Sequence, residues 1–71
     1  MEIGSIRGKY GPYPVLVING DVYYRDSSGR TVATGFTPGQ AAGRYTGPDG
    51  SSYDLSGALR EIQSRYNQGR Y

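Results

Sequence analysis

No cysteine, no histidine and no tryptophan occur in these 71 residues, and each absence closes a chemical route. Without cysteine there is no disulfide to constrain the fold and no thiolate nucleophile, and nothing points to an oxidising compartment. Without histidine no side chain titrates near neutrality to act as a general base, and the usual ligands of a structural zinc site are missing altogether. Long hydrophobic runs are missing too. The longest aliphatic run is Val15 to Ile18, far short of the ~20 apolar residues of a membrane-spanning helix. The start Met1-Glu2-Ile3-Gly4 lacks the charged-then-apolar layout of a signal peptide. These readings predict no membrane partner and a cytoplasmic protein, or one in a particle assembled in the cytoplasm.

Strong hydrophobes are few: isoleucine, leucine, valine and phenylalanine number twelve. Such a low content signals disorder only when net charge is also high. Eight basic residues against six acidic ones leave a net charge of +2, so that condition fails. Eight tyrosines make up the apolar area, each able to bury a ring if its hydroxyl finds a partner. The sequence therefore predicts one small folded domain. A single core of this size rarely yields more than ~3–5 kcal/mol, and with disulfides and metals closed, additional burial must come from oligomerisation or a partner.

The chain predicts an α+β fold: a three-stranded antiparallel β-meander over 13–36, a second short hairpin, and one C-terminal helix packed on one sheet face. Residues 1–12, with Gly4, Gly8, Gly11 and Pro12, read as an irregular arm with at most a short strand around Ile3. Asn19-Gly20 between two β-rich runs is the strongest short hairpin signal, because both residues tolerate φ > 0. Asp26-Ser27-Ser28-Gly29 supplies a second turn, and a third strand runs from Arg30 to about Phe36. Residues 37–53 form a Gly-rich loop in which Gly47-Pro48-Asp49-Gly50 folds Arg44–Thr46 back on Ser51–Tyr53. Leu55, Ala58, Leu59, Ile62 and Tyr66 fall on one face of a helix over 54–67, with Asp54 as N-cap and Gly69 as stop. Glu61 and Arg65 make an i,i+4 pair on its outer side.

Register assigns the faces. Around Asn19-Gly20, Ile18 lies opposite Asp21, Val17 opposite Val22, Leu16 opposite Tyr23 and Val15 opposite Tyr24. Pairing Asp26 with Arg30 brings Tyr24 to Val32 and Val22 to Thr34. One face then carries Val15, Val17, Val22, Tyr24, Val32 and Thr34, and the helix docks there. The other carries Leu16, Ile18, Tyr23 and Ala33, with Arg25, Asp21 and Thr31 around them. One helix cannot cover both faces, so this second face is either an interface or is covered by the arm through Ile3 and Ile6.

Catalysis finds few means. Seven serines lack a histidine, the only lysine is Lys9 in a glycine-rich arm, and the carboxylates are taken up by turn, cap and helix-pair positions. Asp49 to Asp54 lacks the alternating acids and terminal Glu of a calcium loop. Neither a P-loop nor a dinucleotide fingerprint is present, and the glycines of 35–43 read as turn formers before they read as an anion nest. No enzyme, cofactor or metal is expected.

Basic residues and tyrosines adjoin five times, at Lys9-Tyr10, Tyr24-Arg25, Arg44-Tyr45, Arg65-Tyr66 and Arg70-Tyr71, where random scatter gives roughly two. Three of these follow glycine, making Lys9, Tyr10, Arg44, Tyr45, Arg70 and Tyr71 the candidates for nucleic-acid or anion contact. Three strands and a helix resemble, in order of elements, the small sheet-plus-helix DNA-binding domains of phage integrase arms, a likeness of topology that carries no motif residue. Net charge of +2 is small for an electrostatic binder, so protein contact leads. The expectation is a non-catalytic protein-binding or self-assembling module, such as an accessory, inhibitor or particle component of the size common among phage proteins. Its interface would be Leu16, Ile18, Tyr23, Arg25 and Ala33 and its simplest partner itself, as a dimer.

Overall fold

The computed structural model describes all 71 residues. Seven strands precede one helix: β1 (Glu2–Gly8), β2 (Gly11–Ile18), β3 (Asp21–Arg25), β4 (Thr31–Ala33), β5 (Thr37–Pro38), β6 (Arg44–Thr46), β7 (Ser52–Asp54) and α1 (Leu55–Asn67). They form a four-stranded sheet of order β1-β2-β3-β4 and a three-stranded sheet of order β5-β6-β7, both antiparallel. The α+β class is as expected, with one more strand in each sheet than the sequence suggested.

The central hairpin follows from its turn. Asn19 and Gly20 hold φ of 50° and 80°, the two left-handed positions of a type I′ turn. The pairs Val15–Tyr24, Leu16–Tyr23, Val17–Val22 and Ile18–Asp21 result. Across the next turn Tyr24 faces Val32 and Arg25 faces Thr31. β4 is shorter than the strand expected to Phe36, because a bulge interrupts it. Val22 accepts from the Thr34 N–H and donates to the Phe36 carbonyl, both at 3.0 Å, with Gly35 between them at φ 83°. Two residues thus oppose one, so Thr34 and Phe36 both turn inward.

The irregular arm is corrected. Residues 2–8 are a full strand paired with β2 from Glu2–Leu16 to Gly8–Gly11, leaving Lys9-Tyr10 as a two-residue loop. The backbone of Gly4 to Gly8 takes up the hydrogen bonds that the β2 edge would otherwise leave open. The free edge of β1 is then closed by the helix: Gln63 accepts from the Arg7 N–H at 2.6 Å and donates to the Arg7 carbonyl at 3.0 Å, standing in for a neighbouring strand. Residues 37–53 likewise hold more order than a loop with a hairpin, since Thr37-Pro38 pairs with Thr46 and Tyr45. Pro38 is tolerated there because β5 is an edge strand.

Asp54 caps α1 by accepting from the Gly57 N–H at 2.7 Å. Gly69, at φ 73°, ends it, with Gly69 N–H bonded to the Tyr66 carbonyl and Arg70 N–H to the Arg65 carbonyl, the paired bonds of a Schellman motif. Ala58 and Ile62 are buried and Leu59 and Tyr66 half-buried, whereas Leu55 is exposed. The core lies between the inner face of the first sheet, the second sheet and the helix. It joins Ile6, Tyr13, Val15, Val22 and Tyr24 to Phe36, Tyr45, Ala58 and Ile62. Arg65 departs from the outward position expected for it: its side chain is only 17 % exposed, with the guanidinium 5.9 Å from the Phe36 ring and 3.7 Å from Glu61.

Candidate functional site

Two regions draw the candidate residues together, and they lie on opposite faces of the first sheet. The outer face is built by alternation. Leu16 stands between Glu2 on β1 and Tyr23 on β3, Tyr23 faces Ala33 on β4, Ile18 faces Asp21, and Arg25 faces Thr31. Leu16 and Tyr23 are half-buried by one another, Ile18 is 36 % exposed, and Ala33 and Arg25 are exposed. None of the three large side chains joins the core cluster or packs against it. The arm, which the sequence offered as a cover, pairs edge-on with β2 and sends Ile6 into the core instead. Nothing in the chain overlies Leu16, Ile18, Tyr23 and Ala33.

Charge on this face is ordered. Asp21 stands at the end of the Asn19-Gly20 turn, Glu2 midway, level with Leu16 and Tyr23, and Arg7 and Arg25 toward the opposite end. All four are exposed, and none takes part in the chain's two ion pairs, Asp26–Arg30 and Glu61–Arg65.

The second region is a cavity of about 350 Å³ at the other end of the inner face, lined among others by Lys9, Tyr10, Tyr13, Tyr24, Tyr66 and Tyr71. Its tyrosines form one aromatic cluster. Tyr13 stacks parallel to Tyr24 at 6.1 Å, Tyr66 meets both edge-on at 5.8 and 5.7 Å, and Tyr71 leans on Tyr24 at 5.7 Å. Three hydroxyls tie down backbone: Tyr66 accepts from the Lys9 N–H, Tyr13 from the Tyr10 N–H, and Tyr71 donates to the Thr34 carbonyl. Burial pushes the Tyr24 and Tyr71 phenols above their ordinary value, while hydrogen bonds led by the Ser27 hydroxyl pull Tyr13 below it. Asp26 at the rim is already engaged by the Ser28 hydroxyl at 2.7 Å and by the Ser28 and Arg30 N–H groups at 3.0 Å, which lowers its pKa. It organises the turn.

The six basic and tyrosine candidates do not form one surface. Lys9, Tyr10 and Tyr71 line the cavity, with the Lys9 ammonium 5.4 Å from the Tyr10 ring. Tyr45 is a core residue, its ring withdrawn from any ligand. Arg44 lies on β6, donating to the Ser52 hydroxyl at 3.1 Å, and Arg70 is exposed past the helix end; neither lines the cavity. Reading by sequence missed Glu2 and Arg7 as members of the outer face, because the arm showed no strand. The alternation of Ser5 and Arg7 with Gly4, Ile6 and Gly8 was the available signal for Arg7, masked by the glycines, whereas Glu2 reaches this face only through a register shift between Glu2 and Gly4 that no alternation announces.

No protein-family model, curated protein or solved structure matches the chain. No helix is long and apolar enough to cross a membrane.

Proposed function

We propose that this chain is a non-catalytic binding module whose interface with another protein surface is the outer face of the first sheet. The observation that supports the reading is the apolar strip of Leu16, Ile18, Tyr23 and Ala33, which no other element of the chain overlies and which lies outside the core cluster. A central strip of aliphatic and tyrosine side chains with charged residues at its margins has the anatomy of a protein interface, apolar in the middle and polar at the rim. Nucleic-acid contact is the weaker reading, since it needs basic and aromatic groups side by side, and Arg44, Tyr45 and Arg70 stand apart from Lys9, Tyr10 and Tyr71.

Leu16→Arg tests the interface directly. The position is outside the core, so the variant should keep the circular dichroism spectrum of wild type while losing the proteins, further copies included, that tagged wild type retains from a lysate of its source cells. Arg60→Glu, on the exposed side of the helix, should retain them. Equal retention by wild type and Leu16→Arg would exclude this face.

A further inference from the structure

We infer that the occupant of the outer face is a second copy of this chain, laid antiparallel so that Asp21 of each copy covers Arg25 of the other. The inference rests on the reading of that face as an interface and adds the partner and its orientation. It comes from the order of the charges. Along β3, Asp21 and Arg25 point to the same side with Tyr23 between them, and four residues of strand separate them by about 13 Å. On β1, Glu2 is level with Leu16 and Arg7 with Pro12, so the order of charge along the face is carried by Asp21 and Arg25.

Two sheet faces of one kind can meet about a two-fold axis lying in the interface in two extreme ways. With the axis along the strands, like ends meet: Asp21 approaches Asp21 and Arg25 approaches Arg25, which repels. With the axis across the strands at the level of Leu16 and Tyr23, Asp21 of each copy comes over Arg25 of the other, twice. Leu16 and Tyr23 then lie near the axis and close on their own counterparts, as does Glu2, so two Asp21–Arg25 contacts stand against one Glu2–Glu2 contact at the edge of the face. Asp21 and Arg25 have no ion-pair partners within the chain, so they are free to serve this contact. Size sets the strength. Four strands about 4.8 Å apart and about 20 Å long make a face of roughly 400 Å² per copy, below the ~800 Å² per partner of a standard interface. Self-association over so small a face is weak and reversible, and its charge contacts make it sensitive to salt.

Sedimentation equilibrium over the micromolar to millimolar range, at low salt and at about 0.5 M salt, tests this. Wild type should pass from monomer to dimer as concentration rises, and more weakly at high salt. Asp21→Arg and Arg25→Asp should each weaken the dimer by about tenfold or more, because each leaves like charges facing. The double variant, which restores opposite charges in exchanged positions, should return to within about threefold of wild type. Both positions are exposed and unpaired, so circular dichroism should show all three variants folded. A dimer whose charge variants behave as wild type, or a double variant as weak as either single one, would overturn the antiparallel arrangement. Wild type that stays monomeric at millimolar concentration would overturn self-pairing, while loss of a captured protein on Leu16→Arg would still leave the face as an interface with a different partner.

Discussion

Adding one methyl group at Gly8 is the sharpest probe of how this small core is assembled. A Cβ built there would fall inside the contact envelope of three ring carbons of Tyr13, and one of the two must move. The backbone of Gly8 does not require glycine, since it is absent from the positive-φ residues. On conformational grounds alone alanine in a strand would be preferred, by about 0.4–1 kcal/mol through the unfolded chain. The steric effect opposes this, and Tyr13 has nowhere to go. Its ring is stacked on Tyr24, meets Tyr66 edge-on, and its hydroxyl accepts from the Tyr10 N–H at 3.3 Å. Overpacking at a well-filled site costs about 1–3 kcal/mol. The whole domain, at ~0.05–0.15 kcal/mol per residue, has about 4–10 kcal/mol to lose, and about 4–8 °C of melting temperature accompanies each kcal/mol at this size. Gly8→Ala should therefore lower the melting temperature by roughly 10 °C. Gly4→Ala is the internal comparison: its Cβ would meet Leu59 Cδ1 at 2.6 Å, the movable tip of a half-buried side chain, so the loss should be clearly smaller. In a Tyr13→Val background, where the offending ring carbons are gone, Gly8→Ala should be neutral or stabilising. The cycle read by thermal melts thus isolates the contact. A Gly8→Ala single variant as stable as wild type would refute the placement of Tyr13 over β1.

Thr34→Val keeps the shape of a side chain that is 2 % exposed but removes a hydroxyl that donates to the Val22 carbonyl at 2.7 Å and accepts from the Phe36 N–H at 3.2 Å. Urea unfolding should show a loss of about 1–3 kcal/mol, and no loss would mean that the bulge does not depend on this bridge. At high pH the buried phenols decide the trend: Tyr24 and Tyr71 ionise later in the folded chain than the ordinary value of 10.0 at which they ionise once unfolded. Their contribution is whole below that value and is lost as pH rises through the raised folded values, with the lowered Tyr13 opposing in part. The melting temperature should fall as tyrosine ionises, less steeply in Tyr24→Phe, and a flat profile would remove the linkage.

The parts of this fold that could be read from sequence are those whose own side chains carry the signal. Asn19-Gly20 fixes a turn, a turn fixes a register, and a register fixes which of Leu16 and Val15 faces the core. The helix was legible for the same reason, through the spacing of Ala58, Leu59, Ile62 and Tyr66. β1 was not. Ile3 packs against the core at a register shift, and beyond it the inward positions are Gly4, Ile6 and Gly8, where the two glycines present no alternation because the apolar groups that belong there come from elsewhere, Leu59 over Gly4 and Tyr13 over Gly8. β5 was hidden in another way, since Pro38 argues against a strand wherever the strand is central and only the tertiary fold makes it an edge. Of the candidate site, the five central residues followed from the hairpin register, while the charges of Glu2 and Arg7 waited on β1.

How the chain uses β1 also explains why its outer face is open. Twelve strong hydrophobes cannot furnish two cores. Had residues 2–8 folded across Leu16 and Tyr23, Ile6 would have left the inner core, and the edge of β2 would have needed another partner for its backbone groups. Pairing edge-on satisfies that edge, adds Ile6 to the inner cluster, and lets Gln63 seal the new edge through the Arg7 backbone. The same choice widens the outer face by one strand and adds Glu2 and Arg7 to it. The topology that completes the core is therefore what leaves an apolar strip uncovered.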